Sequence, residues 1–176
     1  MWIAVLGGVL FSFAGLLALG WRKPSMSRVE RSGFIASSPV VVHGLIGDLR
    51  RWRDWSAASA ADPDMRRTYA GPAEGVGAHH TWDADKSKVG AGALTIVEST
   101  PDRVKVKVSV TKPLRSEYTM TFVLQPKDSG TMLLWQFEGE KAPAIRLLSV
   151  LVDFDKLVGQ DLEVGLRALQ ELGKAR

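Results

Sequence analysis

The three histidines, His43, His79 and His80, are the residues best suited to proton transfer or metal ligation near neutral pH. The chain has no cysteine, which excludes disulfides, thiolate nucleophiles and thiolate metal sites. His79 and His80 are adjacent, so in an extended segment their rings point to opposite faces and cannot hold one metal together. His43 sits in a separate helical segment, and no metal site is expected. His80 shares its face with Val76, Ala78 and Trp82, which turns it toward the interior. There a neutral imidazole either offers one donor and one acceptor to a ligand or is satisfied by a neighbouring element. Glu98 shares parity with Leu94 and Ile96, and a carboxylate buried on that face could act as a general acid or base beside His80. Its place at a strand end, before Ser99-Thr100-Pro101, fits a solvated or turn-capping role equally well. Glu117 shares a face with Thr119 and reads as surface, while Asp83 and Asp85 flank a turn.

These residues lie in a run of about six predicted strands: Met65 to Tyr69, Gly75 to Asp83, Lys88 to Glu98, Arg103 to Lys112, Ser116 to Pro126 and Thr131 to Glu138. Turn formers separate them, including Gly71-Pro72, Pro101-Asp102 and Asp128-Ser129-Gly130. Alternation fixes which side chains face inward. Val104, Val106, Val108 and Val110 oppose Lys105, Lys107 and Ser109; Tyr118, Met120, Phe122 and Leu124 oppose Glu117, Thr119 and Thr121; Leu133, Trp135 and Phe137 oppose Leu134, Gln136 and Glu138. A seventh strand, Arg28 to Ala36, precedes a helix that begins at Pro39 behind Ser37 or Ser38 and runs out near Trp52 or Trp55. Trp52 and Trp55, with Arg50, Arg51 and Arg53, form a basic aromatic patch suited to an anionic membrane interface or to packing under the sheet edge. A Ser/Ala-rich loop follows. After Pro143, apolar residues from Leu147 to Leu172 recur at three- and four-residue steps, which predicts one long helix across the apolar face of the sheet. Its first half, Ile145 to Leu157, is apolar on nearly every side and reads as a cap over a cavity, a lipid contact and a gate for a ligand.

From Trp2 to Trp21 no residue is charged, a length that matches the roughly 20 residues a helix needs to span a bilayer. The two tryptophans sit where indoles favour the interface. Residues 1–22 therefore read as a retained transmembrane anchor, with a cleaved signal peptide ending near Gly20 as the rival; no basic n-region precedes the apolar run. Arg22, Lys23, Arg28 and Arg31 follow it and place the remaining chain on the cytoplasmic side. Residues 23–27 form a linker and 28–176 the folded domain. The formal charge of +4 is spread along the chain with no recognition motif, so no nucleic-acid partner is expected. Oligomeric state is left open.

The order strand, helix, six strands and long helix, with Trp55, Tyr69-Ala70-Gly71-Pro72, Gly75-Val76-Gly77-Ala78, Trp82, Val89-Gly90-Ala91-Gly92, Glu98-Ser99, Gly130-Thr131, Trp135 and Gly139, resembles the SRPBCC or polyketide-cyclase superfamily. This is the helix-grip fold shared with the birch pollen allergen and StAR-related lipid-transfer domains. The resemblance runs from Arg28 to Leu172. It implies an α+β domain with a curved antiparallel sheet of about seven strands around the C-terminal helix, and a deep pocket opening near that helix's first half. Glycines 75, 77, 90 and 92 suit the bends of such a sheet and do not form a phosphate loop. The expected pocket wall comprises Tyr69, His80 and Trp82; Leu94 and Ile96; Val106 and Val108; Tyr118, Met120 and Phe122; Leu133, Trp135 and Phe137; and Leu147, Leu151 and Phe154. Aromatics on this face stack on a planar ligand or simply fill the core. The reading that follows is a membrane-anchored binding or carrier domain for a hydrophobic small molecule or lipid, with no cofactor. Two alternatives stand beside it: an enzyme acting on an apolar polyketide-like substrate through His80 and Glu98, and an accessory protein docking a membrane complex.

Overall fold

A computed structural model describes residues 25–84, 89–149 and 151–174. The expected transmembrane segment 1–22 lies outside the described residues; among those described, no helix is long and apolar enough to cross a membrane. Seven strands form one antiparallel sheet in the order β1-β7-β6-β5-β4-β3-β2: β1 (Met26–Ile35), β2 (Arg66–Ala70), β3 (His79–Asp83), β4 (Ala91–Thr100), β5 (Arg103–Lys112), β6 (Ser116–Lys127) and β7 (Gly130–Glu140). Helices α1 (Pro39–Gly47) and α2 (Ala57–Ala61) lie between β1 and β2; α3 (Pro143–Leu148) and α4 (Phe154–Lys174) follow β7. β1 begins at Met26, so two residues assigned to the linker belong to the sheet. β3 begins four residues later than expected, because Gly75 and Gly77 adopt positive φ of 75° and 90° and turn the chain before His79.

The alternating strands bury the faces their sequences dictate. Val104, Val106, Val108, Tyr118, Phe122, Leu124, Leu133, Trp135 and Phe137 are all buried. α1 lays Val42, Leu45 and Ile46 on this layer. It ends at Gly47, well before the expected Trp52. The indoles of Trp52 and Trp55 explain the early stop, since they fold back and donate to the carbonyls of Ile46 (2.9 Å) and Leu45 (3.0 Å). Carbonyls orphaned by the end of the helix are thereby satisfied without another turn. Both rings are buried, which overturns their reading as a membrane-facing patch. The Ser/Ala-rich stretch is helical rather than a loop, with the Ser56 hydroxyl accepting from the Ser59 amide as an N-cap.

The expected single C-terminal helix is two. After α3, the Ser149 hydroxyl donates to the Ile145 carbonyl (2.7 Å), and the Asp153 carboxylate then accepts from the Lys156 amide (3.1 Å) to start α4. A local cap at Asp153 competes with continuing the helix and wins. α4 buries Leu162, Gly165, Leu166, Leu169 and Gly173, lies closest to β1 and leaves space between itself and the middle of the sheet. Its end is pinned by the Ser37 hydroxyl, which donates to the Gly173 carbonyl (2.8 Å).

Candidate ligand cavity

The space under α3 and α4 is a cavity of about 540 Å³. Strands β3 to β7 contribute His80, Trp82, Leu94, Val108, Val110, Tyr118, Met120, Trp135 and Phe137; Trp52, Trp55 and Met65 close a second side; Ile145, Leu148, Val152, Phe154, Leu157, Val158 and Leu162 form the helical wall. The lining is mostly apolar, with Arg53, Arg67, Lys112 and Asp161 among its charged members. Trp82 can lie flat beside β4 because position 92 is glycine: a Cβ there would stand 2.5 Å from its ring.

Of the residues expected to line a pocket, His80, Trp82, Leu94, Val108, Tyr118, Met120, Trp135, Phe137 and Phe154 do so. Ile96, Val106, Phe122 and Leu133 share the inner face but sit deeper, in the solid core. Tyr69 lies outside the lining and stacks behind His80 at 4.8 Å between ring centres, with the Arg50 guanidinium 5.2 Å over its own ring. Leu147 is half-buried on α3, and Leu151 is 77% exposed. Arg53 reaches the cavity, whereas Arg51 pairs with Asp54. Sequence reasoning passed over Trp52, Trp55, Met65, Arg67 and Asp161 as wall residues. Val110 alone carried a readable signal, since it continues the valine alternation of β5.

The chemistry concentrates on three side chains. Neither His80 ring nitrogen, nor the Trp135 Nε1, nor the Tyr118 hydroxyl completes a hydrogen bond within the protein, although all are buried. His80 is 5% exposed. Loss of hydration, then the positive Arg67 and then His79, lower its pKa from 6.5 to about 4, so the ring is neutral at pH 7. Arg67 is itself held in place by the carbonyls of Pro63 and Met65 and by the Ser59 hydroxyl. Burial raises the Tyr118 phenol above its ordinary range, with Ser116 beside it working in the opposite direction. Asp161 is at the mouth, still partly open to solvent, and desolvation raises its carboxyl.

Glu98 does not join this group. A bulge in β4 breaks the register after Ile96, so that Glu98 pairs with Lys105 instead of Val104. The carboxylate turns to the outer face and binds Lys105 Nζ at 2.8 Å. The His80 and Glu98 acid–base pair of the enzyme alternative is therefore not assembled, and Glu98 takes the solvated role that its place at a strand end also fitted. His79 points away to the Thr95 hydroxyl (2.9 Å), and His43 meets Ser99 (3.2 Å). Among the described residues no three His, Asp or Glu side chains converge as a metal set.

No family model matches the chain. No curated protein matches it either. Solved structures do. The protein CV1439 from Chromobacterium violaceum is 15% identical with a TM-score of 0.60, over 84% of this chain and 96% of that one. The di-domain ARO/CYC StfQ from the steffimycin biosynthetic pathway is 13% identical with a TM-score of 0.65, over 86% of this chain and 51% of that longer one. Ara h 8.0201 is 11% identical with a TM-score of 0.59, over 86% of this chain and 99% of that one. At these identities the likeness is one of architecture, and it agrees with the sheet, helix and cavity described above: the chain has a helix-grip fold.

Proposed function

We propose that this protein is a membrane-anchored binding or carrier domain for an apolar small molecule or lipid that carries at least one oxygen able to hydrogen-bond inside the cavity. The observation that carries this reading is the set of unpartnered polar atoms on His80, Tyr118 and Trp135 in an otherwise apolar wall. Leaving a buried donor or acceptor unsatisfied costs roughly 1–3 kcal/mol, so a wall that only had to fill space would favour phenylalanine or leucine at these positions. Trp135 supplies a donor, Tyr118 a donor or acceptor, and the neutral His80 one of each. A ketone, quinone, phenol or ester oxygen meets these needs; a bare hydrocarbon does not. The likeness of fold to an ARO/CYC protein of a biosynthetic pathway supports a small-molecule occupant, and the apolar residues 2–21 support a chain held where apolar molecules partition. Catalysis is the less favoured reading, because Glu98 faces away from His80 and a histidine with its pKa near 4 is a weak base at neutral pH.

Native mass spectrometry of the full chain released from detergent tests the reading. A recurrent bound mass with an oxygen-containing composition is expected. Repeated recovery of the chain with no bound mass, or with a pure hydrocarbon, would contradict it.

A further inference from the structure

The turn between α3 and α4 presents an apolar edge to solvent: Leu148 is 53% exposed, Leu151 77%, Val152 50% and Leu157 49%. Leu148, Val152 and Leu157 also line the cavity, so this edge is its rim as well as an outer surface. Four large apolar residues within ten positions are unfavourable in water and mark a contact surface.

The way the chain enters the domain identifies the occupant. The amide of Lys141, at the root of α3, donates to the carbonyl of Ser25 at 2.7 Å, so the N-terminal segment joins the fold beside the start of α3. The apolar edge begins at the other end of that helix, about 7.5 Å from its start at 1.5 Å per residue. Lys141 is 5% exposed, and its ammonium binds the Asp155 carboxylate (2.8 Å), which also accepts from the Ser27 hydroxyl (2.6 Å). This knot fixes the start of α4 to the strand that receives the N-terminal segment. Only Arg22, Lys23 and Pro24 lie between the uncharged run ending at Trp21 and the folded domain. A bilayer holding that run therefore lies within reach of the edge. Among the cavity-lining residues Arg53 adds positive charge for anionic headgroups, while Lys112 is ion-paired with Asp83 at 3.3 Å.

We infer that the edge formed by Leu148, Leu151, Val152 and Leu157 docks on a bilayer containing anionic phospholipid, and that the cavity opens into the acyl region there. The inference rests on the membrane-anchor part of the proposed function. Because the chain has no cysteine, Leu151→Cys and a control, Val97→Cys, on the bulge toward the far end of β4, can each carry one environment-sensitive fluorophore. Each full-length variant is reconstituted into vesicles of phosphatidylcholine and phosphatidylglycerol doped with acyl-chain nitroxide quenchers. Flotation is scored first. The expected result is co-flotation of both variants, with quenching at Leu151→Cys severalfold stronger than at Val97→Cys. A chain that fails to float overturns the anchor and the docking together. A chain that floats with equal quenching at both positions overturns the docking alone. Burial of the Leu151→Cys label in quencher-free micelles that rises with protein concentration assigns the edge to a second copy and also overturns it.

Discussion

His80 combines two unpartnered nitrogens with a low pKa, and both follow from its place between Arg67 and an apolar wall. Its folded-state value of about 4 lies below the ordinary 6.5. Between these values the unfolded chain binds the proton and the folded chain does not, so stability is full above pH 6.5 and is lost as pH falls toward 4. At about 1.4 kcal/mol per unit, the whole effect is about 3 kcal/mol. His80→Phe removes it while filling similar space. Urea unfolding of the full chain in non-ionic detergent should therefore show the wild type losing about 3 kcal/mol more than His80→Phe between pH 6.5 and 4. Parallel losses would mean that His80 is solvated. Trp135, 4% exposed and set against Trp55 (5.6 Å) and Phe122 (4.9 Å), makes a second residue-scale test. Trp135→Ala should cost about 3–5 kcal/mol in the same assay, and a cost under about 1 kcal/mol would place the ring outside the core.

At the scale of elements, α4 meets its neighbours through glycines with different consequences. A Cβ at Gly165 would stand 2.8 Å from the buried Trp135 ring, whereas one at Gly159 would meet only the Arg31 guanidinium, a long side chain paired with Glu163 at the surface. Gly165→Ala should destabilise by about 1–3 kcal/mol despite its gain in helix propensity. Gly159→Ala should be close to neutral, because Arg31 can move and the propensity gain of about 1 kcal/mol offsets the disturbed ion pair. Equal thermal shifts for the two would contradict the packing described for α4. These elements were unevenly legible. The strands could be read because a period of two leaves little freedom once Val104, Val106 and Val108 oppose lysines. Glu98 could not, because one extra residue at the bulge inverts parity and nothing in the local composition announces it. The break before α4 was hidden by an apolar stripe that continues through it, while the decisive features, Ser149 and Asp153, are local hydrogen bonds. The early end of α1 depends on indoles returning from six and ten residues away, which helical periodicity cannot register.

For the whole molecule, a sheet crossed by a C-terminal helix followed from element order and alternation and the helix-grip form from the resemblance, but the cavity's polar points followed from neither. Parity selected Tyr118, Trp135 and His80 as inward-facing, and only the three-dimensional structure leaves them without partners. The proposed anchor belongs to this scale too. With twenty residues from Trp2 to Trp21 uncharged, the full chain should remain in the membrane pellet after alkaline carbonate extraction. Release into the supernatant, or a mature chain beginning after Gly20, would contradict anchoring. The central claim is that the cavity selects an apolar ligand by its oxygen. Fluorescence titration of the full chain with two probes of matched shape, anthracene and anthraquinone, tests it directly. One well-placed hydrogen bond to a buried donor predicts about tenfold tighter binding of the quinone, equivalent to about 1.4 kcal/mol, and the preference should disappear when Trp135→Phe, His80→Phe and Tyr118→Phe are combined. Equal affinities for the two probes, or a preference unchanged in the triple variant, would contradict the claim.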